Sequence, residues 1–330
     1  MESTFDRRDF AKAVALGVGV AAAIPALQAQ QNGRPAAPTG PKNVKIGIST
    51  LAWNVSTTSV DTFEQALKDT VELGYSGYET VSPILEAYDA NGMLPKLMDK
   101  YHITLKAGYL GTNVTDASQR KEQVAKATSV AKLIKKYGGT YCVVATNGRR
   151  TRPPGGRGAQ GRGGPPPPDD FDFNAHKKDI VDGLNDIGMA IRDVGLGTGL
   201  HQHTGTVVEK WDEVYAVMYS VNPKYMSFAP DVGQLQKGGA DAAQVIKDFA
   251  EITTHMHLKD YSNGKYMAGY CPLGMGVVDL ASILDTLEKA NLHPDVMYEL
   301  DRGNAPMSAR ATAEFGKAHL ERLGYTFPMA

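Results

Sequence analysis

The chain has 330 residues, a formal net charge of -1 and 42% hydrophobic residues. This is enough for a full core and unlike a chain that stays unfolded. The near-neutral charge gives no electrostatic case for a nucleic-acid or membrane-surface partner. Two cysteines, Cys142 and Cys271, are too few for a disulfide framework. Cys142 sits inside an apolar strand pattern and is expected as a buried thiol.

At the N-terminus, Asp6-Arg7-Arg8-Asp9-Phe10-Ala11-Lys12 precedes a mildly apolar run from Ala13 to Leu27 and small residues around Ala29. This is a positive n-region, an h-region too short to span a bilayer and a cleavage site. The paired arginines followed by Phe10 resemble a twin-arginine export signal, on a pathway that carries folded proteins. Residues 1–29 are therefore read as a signal peptide and 30–43 as a Pro/Gly/Ala-rich linker. The mature protein is expected in the periplasm or otherwise exported, with no stable membrane association. A retained helical anchor is the alternative that the shortness of the run disfavours.

From Val44 short apolar runs alternate with amphipathic segments. The patterning predicts strands at Val44 to Thr50, Gly77 to Val81, Ile103 to Tyr109 and Tyr141 to Thr146, with helices at Val60 to Leu73, Met93 to Tyr101 and about Ala117 to Tyr137. After an interruption the strands are Gly197 to His203, Tyr225 to Asp231, Ile252 to Asp260 and Val296 to Asp301. Helices are predicted at Asp179 to Val194, Lys210 to Tyr219, Ala240 to Phe249, Leu280 to Ala290 and Met307 to Leu323. Eight strand-helix units in this length predict one α/β domain over 44–330, a (β/α)8 barrel. An open doubly wound sheet would carry a Gly-rich fingerprint after the first strand, where Ser49-Thr50-Leu51-Ala52-Trp53 stands instead. The interruption, 148–172, is rich in Pro, Gly and Arg and is expected to be a disordered insertion after strand four, on the face where a barrel keeps its active site.

Strand ends carry the chemistry. In Thr253-Thr254-His255-Met256-His257-Leu258-Lys259-Asp260 alternation puts His255, His257 and Lys259 on one face. Two imidazoles and an ammonium make a poor core and a good site for a metal and an anionic oxygen. His201 and His203 end strand five, Asp231 ends strand six and Glu299 ends strand eight. Neighbouring strands lie about 5 Å apart, so these side chains can meet at one ion. Mixed imidazole and carboxylate donors suit Mn, Zn, Co or Fe better than Ca. Taken singly, each has a plainer reading: Asp231 caps a turn before Gly233, and Glu299 and Asp301 pair with Lys259 or Arg302. His102, His176, His293 and His319 are given no role.

His201-Gln202-His203-Thr204-Gly205-Thr206-Val207-Val208-Glu209, Asp231-Val232-Gly233-Gln234, His255 to Asp260, Cys271-Pro272-Leu273-Gly274-Met275-Gly276-Val277-Val278-Asp279 and Glu299-Leu300-Asp301-Arg302 together resemble the xylose isomerase-like TIM-barrel superfamily. That superfamily includes sugar isomerases and epimerases, inosose dehydratases and metal-dependent apurinic endonucleases. The first, fourth and fifth stretches are similar to the inosose dehydratase branch. The resemblance places one divalent ion (Mn, Zn, Co, Fe or Mg) on the end of strand five, Asp231, His257 and Glu299. Where the epimerases have a strand-five glutamate this chain has His201, leaving open whether His201 or His203 is the ligand. Where the family often has histidine it has Gln234.

The resemblance implies abstraction of a proton next to a sugar carbonyl, with a metal-stabilised enediolate. The strand-five histidine that is not a ligand is the expected base, so the assignment is His201 as ligand and His203 as catalytic, with Lys259 and Glu79 as further catalytic groups. Trp53, Gln234, His255 and Asp301 are assigned to substrate binding. The substrate expected is a small sugar or keto-sugar, with room for a homo-oligomer. Superfamily membership favours an isomerase or epimerase. The alternative is an inosose dehydratase-like or 3-keto-glycoside β-eliminating lyase, and a further one is a non-catalytic exported sugar-binding barrel.

Overall fold

The computed structural model describes residues 42–149, 171–264, 267–290, 294–301 and 307–328. Eight strands are parallel: β1 (Lys45–Ser49), β2 (Tyr78–Val81), β3 (Leu105–Gly111), β4 (Tyr141–Ala145), β5 (Gly197–His201), β6 (Ser227–Phe228), β7 (His255–Leu258) and β10 (Asp295–Tyr298). They pair in the order β6-β5-β4-β3-β2-β1-β10-β7, and the bridges Phe228↔Thr253 and Asp231↔His257 join the two ends of the series. The result is the (β/α)8 barrel that the repeat predicts. β8 (Asp260–Tyr261) and β9 (Tyr270–Cys271) form a separate antiparallel pair.

Around the barrel run α1 (Asp61–Glu72), α2 (Ser82–Ala90), α3 (Met93–Tyr101), α4 (Arg120–Lys136), α5 (Phe173–Val194), α6 (Trp211–Met218), α7 (Val232–Lys237), α8 (Ala242–Asp248), α9 (Leu280–Lys289) and α10 (Ala309–Arg322). Among the described residues no helix is long and apolar enough to cross a membrane. β4 shows why the strands read as unbroken apolar runs, since a parallel strand in a barrel is covered on both faces. Cys142 and Val144 join the core between strands and helices, whereas Tyr141 and Val143 join Ala107 and Ala229 in a smaller cluster inside the barrel. Ile134 of α4 and Leu184 of α5 are wholly removed from water in the outer layer, each contributing about 1.5–3 kcal/mol. Truncating Leu184 to alanine is expected to cost about 2–5 kcal/mol. Both cysteines are buried free thiols.

The structure departs from the sequence expectation in places. α2 and α7 are additional helices, and the strand expected over Ile252 to Asp260 is divided between β7 and β8. α5 starts at Phe173, not Asp179, because the Asp172 side chain accepts from the Ala175 backbone N–H and caps it. Gly148 and Arg149, assigned above to the insertion, belong to the folded body: Gly148 bridges Thr206 and Arg149 is buried. The rest of the insertion up to residue 170, and the signal peptide and linker through residue 41, lie outside the described residues.

Candidate metal centre at the barrel mouth

Seven charged or imidazole side chains from β2, β5, β7 and the segments after β6, β7 and β10 meet at the C-terminal end of the barrel. Glu79 of β2, His201, Asp231, His255, His257, Lys259 and Glu299 are each 3% exposed or less. Burial of so many ionisable groups is costly unless they satisfy one another. They largely do, in two linked sets.

The first set is centred on Glu79. Its Oε2 accepts from His255 Nε2 at 2.8 Å and its Oε1 from His257 Nε2 at 2.6 Å. Burial alone would raise this carboxyl, but His257 and His255 outweigh burial and carry its pKa down to about 2. The His255 ring also stacks on Tyr141, with centroids 4.7 Å apart.

The second set is centred on Lys259. Its Nζ lies 2.6 Å from Asp231 Oδ2, 2.8 Å from Glu299 Oε1 and 2.9 Å from Asp301 Oδ2. Burial opposes the ammonium, yet the three carboxylates raise its pKa well above that of free lysine. Burial raises the Asp231 carboxyl, with repulsion from Glu299 and Asp301 adding to it against Lys259. At Glu299 burial is overcome by His257 and Lys259, and the pKa falls well below the carboxylate range. Gly233 makes the lysine's path possible, since a Cβ there would sit 2.7 Å from Lys259 Cγ.

Hydrogen bonds fix which ring atoms face the centre. His201 Nδ1 lies 2.9 Å from the Ala229 carbonyl, so Nδ1 carries the proton and Nε2 keeps its lone pair. Burial, then the neighbouring His257, pushes the His201 pKa well below the imidazole range, so the ring is neutral. His257 uses Nε2–H for Glu79 and leaves Nδ1, which lies 3.3 Å from Glu299 Oε2. Burial disfavours charge on His257, yet Glu299 and Glu79 raise its pKa well above that of free imidazole. A cation at Nδ1 would take the place of that proton.

Ligand atoms of His201, Asp231 and His257 lie within 4.8 Å of one another, as do those of Glu79, His255 and His257. Asp231 Oδ2, His257 Nδ1 and Glu299 Oε2 are buried and have no hydrogen bond of acceptable geometry. Of the four residues expected as ligands, His201, Asp231 and His257 share the first group; Glu299 lies beside it, its Oε2 3.3 Å from His257 Nδ1, and Asp231 Oδ2 is held by the Lys259 ammonium. The donor set fits a divalent transition metal, and Glu79 behind His257 is the outer carboxylate that such a histidine ligand ordinarily has.

His203 lies outside both groups. Its Nδ1 is 2.8 Å from the Thr204 carbonyl and its Nε2 is 2.6 Å from Gln234 Nε2. The Thr204 backbone N–H and hydroxyl both donate to Gln234 Oε1. The amide nitrogen of Gln234 therefore donates to His203 Nε2 and, at 3.1 Å, to Asp301. Asp231 also caps α7, its Oδ1 accepting from the Gln234 N–H at 3.0 Å, so the turn-capping reading holds and leaves Oδ2 facing the cluster. Trp53 is not brought into the cluster: its indole N–H donates to Asp69 of α1 at 2.8 Å. Sequence reasoning passed over Gln202, whose amide links the β5 and β6 ends through Asp231, and Tyr109, whose ring centre is 5.3 Å from that of His201. Alternation along β3 is the signal that would have found Tyr109.

The family model described as xylose isomerase-like TIM barrel matches residues 67–319. The chain belongs to this family. It is therefore a member of the sugar isomerase, epimerase and dehydratase superfamily and an enzyme of that kind. An inosose dehydratase from Geobacillus kaustophilus is 23% identical over 84% of this chain and 94% of its own length. One from Clostridium perfringens is 23% identical over 80% and 92%. Among solved structures, an IolI protein with a bound zinc atom superposes with a TM-score of 0.65 at 16% identity, over 87% of this chain and 100% of the other. A 3-keto-D-glucoside 4-epimerase from E. coli gives 0.61 at 15% identity, over 85% and 99%.

Proposed function

We propose that this enzyme is a divalent-metal-dependent lyase that removes the proton α to the carbonyl of a cyclic keto-polyol or keto-sugar and expels a β-oxygen substituent. The observation that carries this reading is His201. The end of β5 presents a neutral, buried imidazole, and the glutamate that pairs with the β10-side carboxylate in a two-base epimerisation is missing. The names of the two curated relatives support the same reaction class. His201, Asp231, His257 and Glu299 would hold the cation, which when bound supplies Lewis-acid stabilisation of the charge left as the α proton departs.

The chain's own residues supply the rest. His203, whose Nδ1 faces the Thr204 carbonyl, offers the Nε2 lone pair as base once Gln234 yields it. Lys259 holds Asp231, Glu299 and Asp301 together, and Glu79 keeps the His257 ring turned with Nδ1 toward the centre. Of Asp301 and Gln234, the more exposed Asp301 would meet substrate hydroxyls, and Gln234, buried and bonded to His203, Thr204 and Asp301, would orient His203. The twin-arginine-like stretch in residues 6–12 supports export of the folded enzyme to the periplasm, where unphosphorylated sugars are available. Loss of the mature protein from the periplasmic fraction on Arg7→Lys with Arg8→Lys is the expected result.

The test is proton NMR in D₂O of the metal-loaded enzyme with inososes and 3-keto-glycosides. A vinylic signal with loss of water or aglycone is expected. A second reading, epimerisation of a keto-sugar, draws support from the fold shared with the 4-epimerase; deuterium entering recovered sugar without a vinylic product would select it. Bound metal with neither change across the panel would sink both.

A further inference from the structure

We propose that Tyr109 is the acid of this elimination, giving its phenolic proton to the departing oxygen; the assignment rests on the lyase reading above. In the β3 register Ala107 pairs with Glu79 and Tyr109 with Val143, so both β3 residues face the inside of the barrel. There Tyr109 packs on the cluster of Ala107, Tyr141, Val143 and Ala229, which forms an apolar floor. Its ring stands edge-on to His201 at 5.3 Å between centres and lies 6.3 Å from His257. The side chain is half-buried, unlike the ionic cluster beside it.

The other donors at the mouth are engaged. The Tyr141 hydroxyl is 2.7 Å from Thr254 Oγ1, that of Thr204 donates to Gln234 at 2.6 Å, and Tyr270 lies 3.5 Å from Thr204 Oγ1. The Lys259 ammonium is shared among three carboxylates. Among the described residues the Tyr109 hydroxyl makes no hydrogen bond to the protein, so it is the O–H left for a ligand beside the two imidazoles.

The step balances without an oxidant or reductant. His203 takes the α proton, and the C–H pair becomes the new C=C bond. The β C–O bond breaks with its pair on oxygen, and the Tyr109 O–H bond gives that oxygen its proton, so water or an alcohol leaves. The phenolate then regains a proton from solvent, and His203 loses its own. Such assistance matters because hydroxide is a poor leaving group, and a positioned acid contributes about 10²–10⁴-fold.

Tyr109→Phe keeps the ring and removes the acid. Elimination of water from an inosose is expected to fall by about 10²–10⁴-fold, while deuterium uptake at the α carbon and metal content match wild type. A 3-keto-glycoside with a nitrophenolate leaving group, which departs unprotonated, is expected to restore elimination by the variant. Undiminished loss of water in Tyr109→Phe overturns the assignment, as does a deficit that persists with nitrophenolate or that includes deuterium uptake. If the wild type exchanges deuterium and eliminates nothing, the lyase reading fails and Tyr109 loses this role with it.

Discussion

Two buried ionic clusters lie a short way apart in the chain, and they are built on opposite principles. Arg149 and Glu213 pair through two bonds of 2.8 and 2.6 Å, Arg149 also donates to the Thr206 carbonyl, and Glu213 accepts the backbone N–H groups of Glu209 and Lys210. That pair is closed, with both Glu213 oxygens and the guanidinium engaged. The mouth cluster is larger and as deeply buried, yet Asp231 Oδ2 meets only the shared Lys259 ammonium, and His257 Nδ1 and Glu299 Oε2 face each other at 3.3 Å without a hydrogen bond of acceptable geometry. Burial of charge alone therefore does not separate the two clusters; atoms that face one another without a good hydrogen bond do.

The contrast is broken or sharpened by substitution. Removal of a mouth ligand has the largest expected effect: His257→Ala and Glu299→Ala each lose bound metal and measurable activity while keeping the native circular dichroism spectrum. Normal metal content in both would remove the site assignment. Arg149→Met is the converse case. It strands Glu213 and is expected to cost about 3 kcal/mol in urea unfolding, with metal affinity unchanged. A drop in metal affinity there would mean the clusters are coupled.

Smaller still, Glu79→Gln is expected to weaken the metal by about 10–100-fold in titration calorimetry, because an amide cannot accept from both His255 and His257. The smallest effect is in pH. Although burial works against it, Arg149 and two backbone N–H groups hold the Glu213 carboxyl below its ordinary pKa. Its stabilisation is present above about pH 4.3, the unfolded glutamate value, and is lost as pH falls through the lower folded value. Glu213→Gln should flatten the loss of stability between about pH 5 and 3; an unchanged slope would mean another carboxylate sets it.

The barrel was legible because each parallel strand is buried on both faces and reads as a short apolar run, and strand ends carry what such runs exclude. His201, Asp231, His257 and Glu299 stood out for that reason. What was not legible depended on contacts between distant residues. α2 begins at Ser82-Pro83 directly after β2 with no linking residues, so its start looks like a turn. α7 spans six residues and is capped by Asp231 itself, too short for a periodic signal. The β8–β9 pair is positioned by Asp260, whose carboxylate accepts the N–H groups of Tyr261, Gly274, Gly276 and Val278. A Cβ at Gly276 would lie 2.1 Å from that carboxylate. Trp53, an aromatic at a strand end, looked like a sugar platform, and only the position of Asp69 on α1 shows where its indole bonds.

The closure between β6 and β7 has a consequence for the whole ring. Every other neighbouring pair of barrel strands shares a ladder, whereas these two meet only at Phe228↔Thr253 and Asp231↔His257. Among the described residues it is the junction held by isolated bridges, and the second of them joins two residues of the proposed ligand set. A cation held by Asp231 and His257 would tie the two sides of this junction together. Local opening there, read by amide exchange in β6 and β7, should slow with metal occupancy more than exchange in β3 and β4 does.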